Sequence, residues 1–180
     1  MSEQTFPFPF GKNLKDAHMA KIEQSAEVTQ KIFLWIEKQK NIFYFCGNVG
    51  TGKTYFCAAW YNFLKEQGKN VRAFSEYKLF GILRSVIQNN WDPLHELEKI
   101  CDSPYLILDD MGSSSMTDWQ KDMLFEFVNM RIESGLPTLI TSNMTRKDLQ
   151  ENFHERFESR IYAAKNTIVE LVGADRRQWQ

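Results

Sequence analysis

Gly47, Gly52, Lys53 and Thr54 stand at the spacing G-x-x-x-x-G-K-[ST] within Gly47-Asn48-Val49-Gly50-Thr51-Gly52-Lys53-Thr54. The chemistry explains the spacing. Glycines let backbone N–H groups turn inward around phosphate oxygens, and a following helix N-terminus adds a positive dipole. Lys53 can then reach the outer phosphates and Thr54 can offer its hydroxyl to magnesium. The expected ligand is ATP with Mg²⁺, and the expected contact set runs from Gly47 through Tyr55. A glycine turn of purely structural use competes with this reading. Glycine makes up only about 7% of average sequence, so a chance match to all four fixed positions is on the order of one in a hundred.

Tyr105-Leu106-Ile107-Leu108-Asp109-Asp110 supplies the complementary half, an apolar run ending in two carboxylates. Binding sites in open parallel sheets lie at the C-terminal ends of strands. Asp109 is the expected magnesium partner, and Asp110 the residue that orients or deprotonates an attacking water. Taken alone, a strand stopping at a solvated turn would explain the same residues.

These groups need a scaffold, and the pattern of the chain provides one. Residues 42–46 are an apolar run leading into the glycine loop, and Phe56, Ala59, Trp60, Phe63 and Leu64 then fall at helical spacing, with Gly68 placed to stop the helix. Residues 71–74 read as a second strand. Leu79, Ile82, Leu83 and Val86 mark the next helix, and residues 93–100 another ahead of the strand at 105–109. Thr117 and Gln120 make a capping box that opens a helix running to Gly135. Residues 137–141 form a fourth strand; Leu149, Phe153, Phe157 and Ile161 repeat every four residues as a helical stripe; residues 167–172 close the chain as a fifth strand. Strands alternating with helices predict an α/β fold with a parallel sheet covered on both faces. Ahead of it, residues 1–40 form an N-terminal helical lead, with Leu14, Ile22, Ile32, Trp35 and Ile36 on one or two helices across 14–40; residues 41–180 form the core.

The 180 residues suit a single domain. Acidic and basic residues nearly cancel, 23 against 22, and no block of one sign occurs, so no global electrostatic grip on nucleic acid is encoded. Met1-Ser2-Glu3-Gln4 lacks an export signal and the apolar runs stop short of a membrane span, so a soluble, cytoplasmic protein is expected. Cys46, Cys57 and Cys101 are isolated and read as small buried residues; His18, His95 and His154 are equally scattered, and no transition-metal set appears. Phe6, Phe8 and Phe10, interleaved with Pro7 and Pro9, can dock a partner or flank an adenine, but burial on the chain's own body is favoured.

With both motifs in place, the chain resembles the AAA+ ATPases of the DnaC/DnaI/IstB group, the bacterial and phage helicase loaders with their transposition relatives. The resemblance covers about residues 5–177. It rests further on Asp109-Asp110-Met111-Gly112, on Pro137-Thr138-Leu139-Ile140-Thr141-Ser142-Asn143, on Glu155-Arg156-Phe157-Glu158-Ser159-Arg160 and on Gly173-Ala174-Asp175-Arg176-Arg177. It implies a three-layer αβα P-loop NTPase fold of AAA+ type, with a five-stranded parallel sheet and little or no helical lid. It implies Asn143 as the sensor 1 residue and Arg156 as an arginine finger serving a neighbouring subunit. Arg160, four residues on, shares the flank of that helix, and two like charges so spaced repel slightly unless they share an anion; the alternative is an exposed pair screened by Glu155 and Glu158. The implied function is ATP hydrolysis by a replicative helicase loader, with a hexameric helicase, single-stranded DNA and further copies of the chain as partners. An IstB-like transposition ATPase and a small-molecule P-loop kinase are the alternatives. Loaders of this group usually carry an N-terminal partner-binding domain where this chain has residues 1–40. Arg176 and Arg177 are open between a nucleotide or DNA contact and a solvated chain end.

Overall fold

The computed structural model describes residues 8–22, 24–153 and 155–171. Short 3₁₀ turns at Lys12–Leu14 and Met19–Lys21 precede helix α1 (Ala26–Lys38), strand β1 (Ile42–Gly47), α2 (Lys53–Glu66), β2 (Val71–Ser75), α3 (Glu76–Gln88), α4 (Pro93–Cys101) and β3 (Tyr105–Met111). Then follow α5 (Asp118–Ser134), β4 (Thr138–Ser142), α6 (Arg146–Asn152), α7 (Glu155–Ile161) and β5 (Thr167–Leu171). The five strands run parallel in the order β2-β3-β4-β1-β5, which is the sheet expected of an AAA+ core. Among the described residues no helix follows α7.

Strand alternation divides the core into two layers. Ile42, Tyr44 and Cys46 of β1 join Leu106, Leu108 and Ile140 under α3, α4, α5, α6 and α7. Phe43 and Phe45 point the other way, with Ile107, Leu139 and Val169, under α1 and α2. Every residue of β1 and β4, and all of β3 but Asp110, is buried because both faces are covered, while the edge strands β2 and β5 are only partly buried. Arg131 of α5 is fully buried and wires two strand entrances together: Nη1 donates to the carbonyls of Cys101 and Ser103 ahead of β3, Nη2 to that of Pro137, and Nε to Thr138 Oγ1 of β4. Burial pushes its pKa down to about 10. The guanidinium thus fixes the relative placement of β3, which carries Asp109, and β4, which leads into Asn143.

Three expectations change. The one or two helices expected over 14–40 are two 3₁₀ turns and then α1, because Asn62 Nδ2 of α2 donates to the carbonyls of Lys15 and Ala17 at 3.0 and 2.8 Å, and Ser25 Oγ begins a new helix by capping Val28 N–H. The stripe Leu149–Phe153–Phe157–Ile161 spans two helices: Phe153 is extended (φ −121°, ψ 173°), and its ring stacks on Phe157 at 4.3 Å. Strand β3 runs on to Met111 through a bulge. Leu108 pairs with Ile140 and Met111 with Ser142, so three steps on β3 oppose two on β4. The Thr117–Gln120 capping box forms as expected. Phe8 and Phe10 pack edge-on against Tyr61 of α2, on the chain's own body, while Phe6 lies outside the described residues.

Candidate nucleotide-binding site

The glycine loop joins β1 to α2, and its backbone geometry requires its residue types. Gly47 has φ 137°, and a Cβ there would lie 2.2 Å from the Leu171 carbonyl oxygen of β5. Gly50 and Gly52 are left-handed at φ 80° and 92°, the latter as the N-cap of α2. Thr51 Oγ1 ties the loop to itself by donating to the Asn48 carbonyl at 2.8 Å, and Gln24 Nε2 holds the Thr51 carbonyl from outside at 3.3 Å. Val49 is exposed on the turn.

Lys53, the first residue of α2, is 7% exposed. Its Nζ donates to the carbonyls of Gly47 and Asn48 at 2.7 and 2.8 Å. Burial lowers its proton affinity, opposed by the nearby charges of Asp110 and Asp109. None of the ion pairs among the described residues includes it. A buried ammonium met only by neutral carbonyls suits an anion as its further partner.

Asp109 closes the site from β3. Its Oδ1 accepts from Thr54 Oγ1 at 3.4 Å, Cys57 Sγ at 3.5 Å and Thr141 Oγ1 at 2.5 Å. Burial raises its pKa, and the hydroxyls of Thr141 and Thr54 and the Cys57 thiol work against the rise. Among the described residues no group of three or more His, Cys, Asp and Glu side chains comes together. A cation here would rest on the oxygens of Thr54, Asp109 and the phosphates, a donor set that fits Mg²⁺. Because of the bulge, Asp110 is exposed and left-handed (φ 62°), with its N–H donating to Thr141 Oγ1 at 2.9 Å.

Lys53, Thr54, Asp109 and Asp110 therefore converge. Asn143 is exposed immediately after β4, the neighbour of β3, where Ser142 Oγ pins the strand tip by donating to the Met111 carbonyl at 2.6 Å. Tyr55 turns towards the N-terminal lead: its hydroxyl accepts the His18 N–H at 3.3 Å and its ring packs by Ala17, Ala58 and Ala59. Arg156 and Arg160 are not brought to the loop. They lie exposed on α7, which packs against α5 and α6. Glu158 does not screen them, since it is buried and accepts from Arg146 Nε at 2.5 Å. Val172, Gly173-Ala174-Asp175-Arg176-Arg177 and His154 lie outside the described residues.

Four site groups escaped sequence reading. The sequence marks Cys57 only as a small buried residue, and Thr141 and Ser142 only as part of the fourth-strand segment that carries the family resemblance. Glu76, at the start of α3, is 2% exposed and binds the loop after Asp110, accepting from the Gly112 N–H and, at 3.2 Å, from Ser114 Oγ. Its one sequence signal, an acid after the N-cap Ser75, equally describes a solvated helix start.

Comparison with known proteins agrees with this geometry. The replicative helicase loader DnaI of Bacillus subtilis is 32% identical over 112 residues, covering 61% of this chain and 35% of that protein. The crystal structure of the DnaC helicase loader superposes with a TM-score of 0.76, with 22% identity over 90% of this chain and all of that one. AMPPCP-bound DnaA from Aquifex aeolicus gives 0.73, at 18% identity, over 89% of this chain and 52% of that one. The chain spans 35% to 56% of the length of the first curated relatives it matches. No described helix is long and apolar enough to cross a membrane. The model of the IstB-like ATP binding protein family matches residues 9–159, and the chain belongs to that family.

Proposed function

We propose that this chain is a magnesium-dependent ATPase that acts in the cytoplasm as a replicative helicase loader in DNA replication. Residues 41–180 would form its ATPase core and 1–40 a lead. The observation that carries the chemistry is the buried Lys53 ammonium, held among the described residues by the Gly47 and Asn48 carbonyls and set beside the Thr54–Asp109 pair. On this reading Lys53 exchanges the carbonyls of Gly47 and Asn48 for the outer phosphates of ATP, while the loop N–H groups from Asn48 to Tyr55 hold the rest. A magnesium ion bound by Thr54 and Asp109 would supply neutralising charge on the phosphate oxygens. Asp110, whose side chain bonds none of the described residues and is open to solvent, accepts the proton of the attacking water. Asn143 orients that water from the adjacent strand tip, and Arg156 of a neighbouring copy stabilises the charge that develops on the transferred phosphoryl group. ATP thereby assembles copies of the chain on single-stranded DNA, and hydrolysis to ADP and phosphate releases the helicase.

The names of the relatives support the loader reading, and the family's own name supports a second one, a transposition ATPase acting on duplex DNA. Co-purification separates them. The tagged chain should retain the host's hexameric replicative helicase with ATP and lose it with ADP or with a Lys53 variant. Retention of a transposase in its place decides for the second reading, and phosphorylation of a small molecule would overturn both.

A further inference from the structure

We propose that Thr141 is a positioning residue that sets both carboxylates of the site through one hydroxyl. This rests on the ATPase reading above. Thr141 is fully buried on β4, directly opposite the β3 bulge, in the interval where Leu108–Ile140 pairing has ended and Met111–Ser142 pairing has not begun. Asp109 and Asp110 therefore have no ladder partner on β4, although Asp109 still pairs with Ser75 of β2 on the other side, and the Thr141 side chain bridges the gap. Its Oγ1 lies 2.5 Å from Asp109 Oδ1 and 2.9 Å from the Asp110 nitrogen.

The direction of both bonds follows from the chemistry of the groups. An ionised carboxylate only accepts and a backbone N–H only donates, so the single hydroxyl proton goes to Asp109 while an oxygen lone pair takes the Asp110 N–H. Of the three donors that meet Asp109 Oδ1, Thr141 is much the shortest; Thr54 and Cys57 stand at 3.4 and 3.5 Å. Thiols donate weakly, and the Thr54 hydroxyl is the group that a cation would claim. Thr141 alone holds Oδ1 in either event, and fixing one carboxylate oxygen fixes the plane that carries the other. The same hydroxyl holds Asp110 in a left-handed conformation, uncommon outside glycine though more accessible to Asp than to most residues. One side chain thus orients the metal-side carboxylate and, through the backbone, the carboxylate that faces water.

The test compares Thr141→Val, which keeps volume and β-branching without the hydroxyl, with Thr141→Ser, which keeps the hydroxyl. On the full chain, binding of a fluorescent ATP analogue is followed against Mg²⁺ concentration and in EDTA, alongside steady-state ATP turnover. Thr141→Val should raise the Mg²⁺ concentration for half-maximal effect by about 10- to 100-fold, the usual consequence of losing a hydrogen bond behind a metal ligand, and lower kcat. Its Mg²⁺-free nucleotide affinity, governed by Lys53 and the loop, should match wild type, and Thr141→Ser should recover most of the loss. The inference is overturned if the Val variant keeps the wild-type Mg²⁺ dependence and kcat. It is equally overturned if affinity in EDTA falls in step, or if Ser behaves as Val does, since either marks a structural role. Should the Val variant not fold, Thr141→Cys offers a weaker donor in similar space and should lie between Ser and wild type on one side and complete loss on the other; wild-type behaviour from it refutes the proposal. A wild-type chain without Mg²⁺-dependent nucleotide binding strikes the ATPase reading itself, and the role of Thr141 falls with it.

Discussion

Replacing Lys53 by Met should separate the stability of the fold from its capacity to bind nucleotide. In the free chain Lys53 Nζ donates to two loop carbonyls, at 2.7 and 2.8 Å, and Asn48 has a second donor in Thr51 Oγ1. The substitution therefore leaves the Gly47 carbonyl as the main unpartnered group, costing about 1–3 kcal/mol, but it also removes a buried cation whose desolvation opposes folding. Unliganded stability should change little. Binding should suffer much more. Two charge-assisted bonds to phosphate oxygens contribute about 1.5–3 kcal/mol each, and the two carbonyl bonds given up offset part of that, leaving about 2–4 kcal/mol, or roughly 30- to 1000-fold in Kd. At ATP concentrations about 100 times the wild-type Kd, ligand linkage stabilises the native chain by about 2.7 kcal/mol, which for a domain of this size raises Tm by about 5–11 °C. The Lys53→Met chain under the same conditions should gain about 0.8 kcal/mol or less, no more than about 3 °C. Differential scanning fluorimetry with and without Mg-ATP measures both quantities. An ATP-induced shift in the variant equal to that of wild type would refute the assignment of Lys53 to the phosphates, and a collapse of unliganded Tm would show the lysine to be structural.

Asp110→Asn should leave nucleotide affinity intact and slow turnover by about 10²- to 10⁴-fold, because only proton acceptance is lost; loss of binding with retained turnover per bound site would exchange the roles of Asp109 and Asp110. Arg156→Ala should bind ATP as a monomer yet hydrolyse it on the order of 10³-fold more slowly, and mixing it with Lys53→Ala should restore part of the rate, since one interface then pairs an intact loop with an intact arginine. A mixture as inactive as its components, although both chains co-assemble, makes Arg156 an intramolecular or structural group. Glu76→Gln should show a pH-dependent difference from wild type. Burial holds the Glu76 carboxyl above its ordinary 4.5, against the opposing bonds from Gly112 and Ser114. The folded state then binds the proton more tightly than the unfolded chain, so the cost of ionising Glu76 is fully present above the raised pKa and relieved as pH falls through it. In urea titrations at neutral pH and near pH 4.5, wild type should gain stability relative to Glu76→Gln on acidification, and a relative loss contradicts that environment.

How far the sequence reveals this molecule depends on how locally each feature is encoded. The βα alternation was legible because covered parallel strands are apolar almost throughout, as β1 and β4 are, and because helices announce themselves by caps such as the Thr117–Gln120 box. The lead reads as one or two helices, yet it opens in short 3₁₀ turns, because what ends its first turns is a side chain 47 residues away, Asn62, donating to the carbonyl of Lys15. The break at Phe153 was equally hidden. Two short helices with aromatic stacking across the joint keep the same four-residue spacing that one long helix would have, so periodicity alone does not distinguish them.

The site divides along the same line. Gly47 to Thr54 act through adjacent backbone and are spelled out consecutively, whereas Thr141, Cys57 and Glu76 reach Asp109 or its following loop only through strand register and helix placement. Charges on α7 illustrate the same limit with a functional consequence. Glu155-Arg156-Phe157-Glu158-Ser159-Arg160 reads as a solvated run, yet Glu158 is buried and bonded to Arg146, which in turn lies over the Tyr162 ring at 5.0 Å. With the Phe153–Phe157 stack on one side and the Arg146–Glu158 bond on the other, α7 cannot roll about its axis without leaving the buried Glu158 carboxylate unpartnered. Arg156 and Arg160 are thereby committed to the outer surface. On the proposed reading a guanidinium held in that way would meet phosphate only where another copy of the chain presents its loop to α7, and the mixing experiment, more than either single substitution, is what discriminates that arrangement from a purely structural helix.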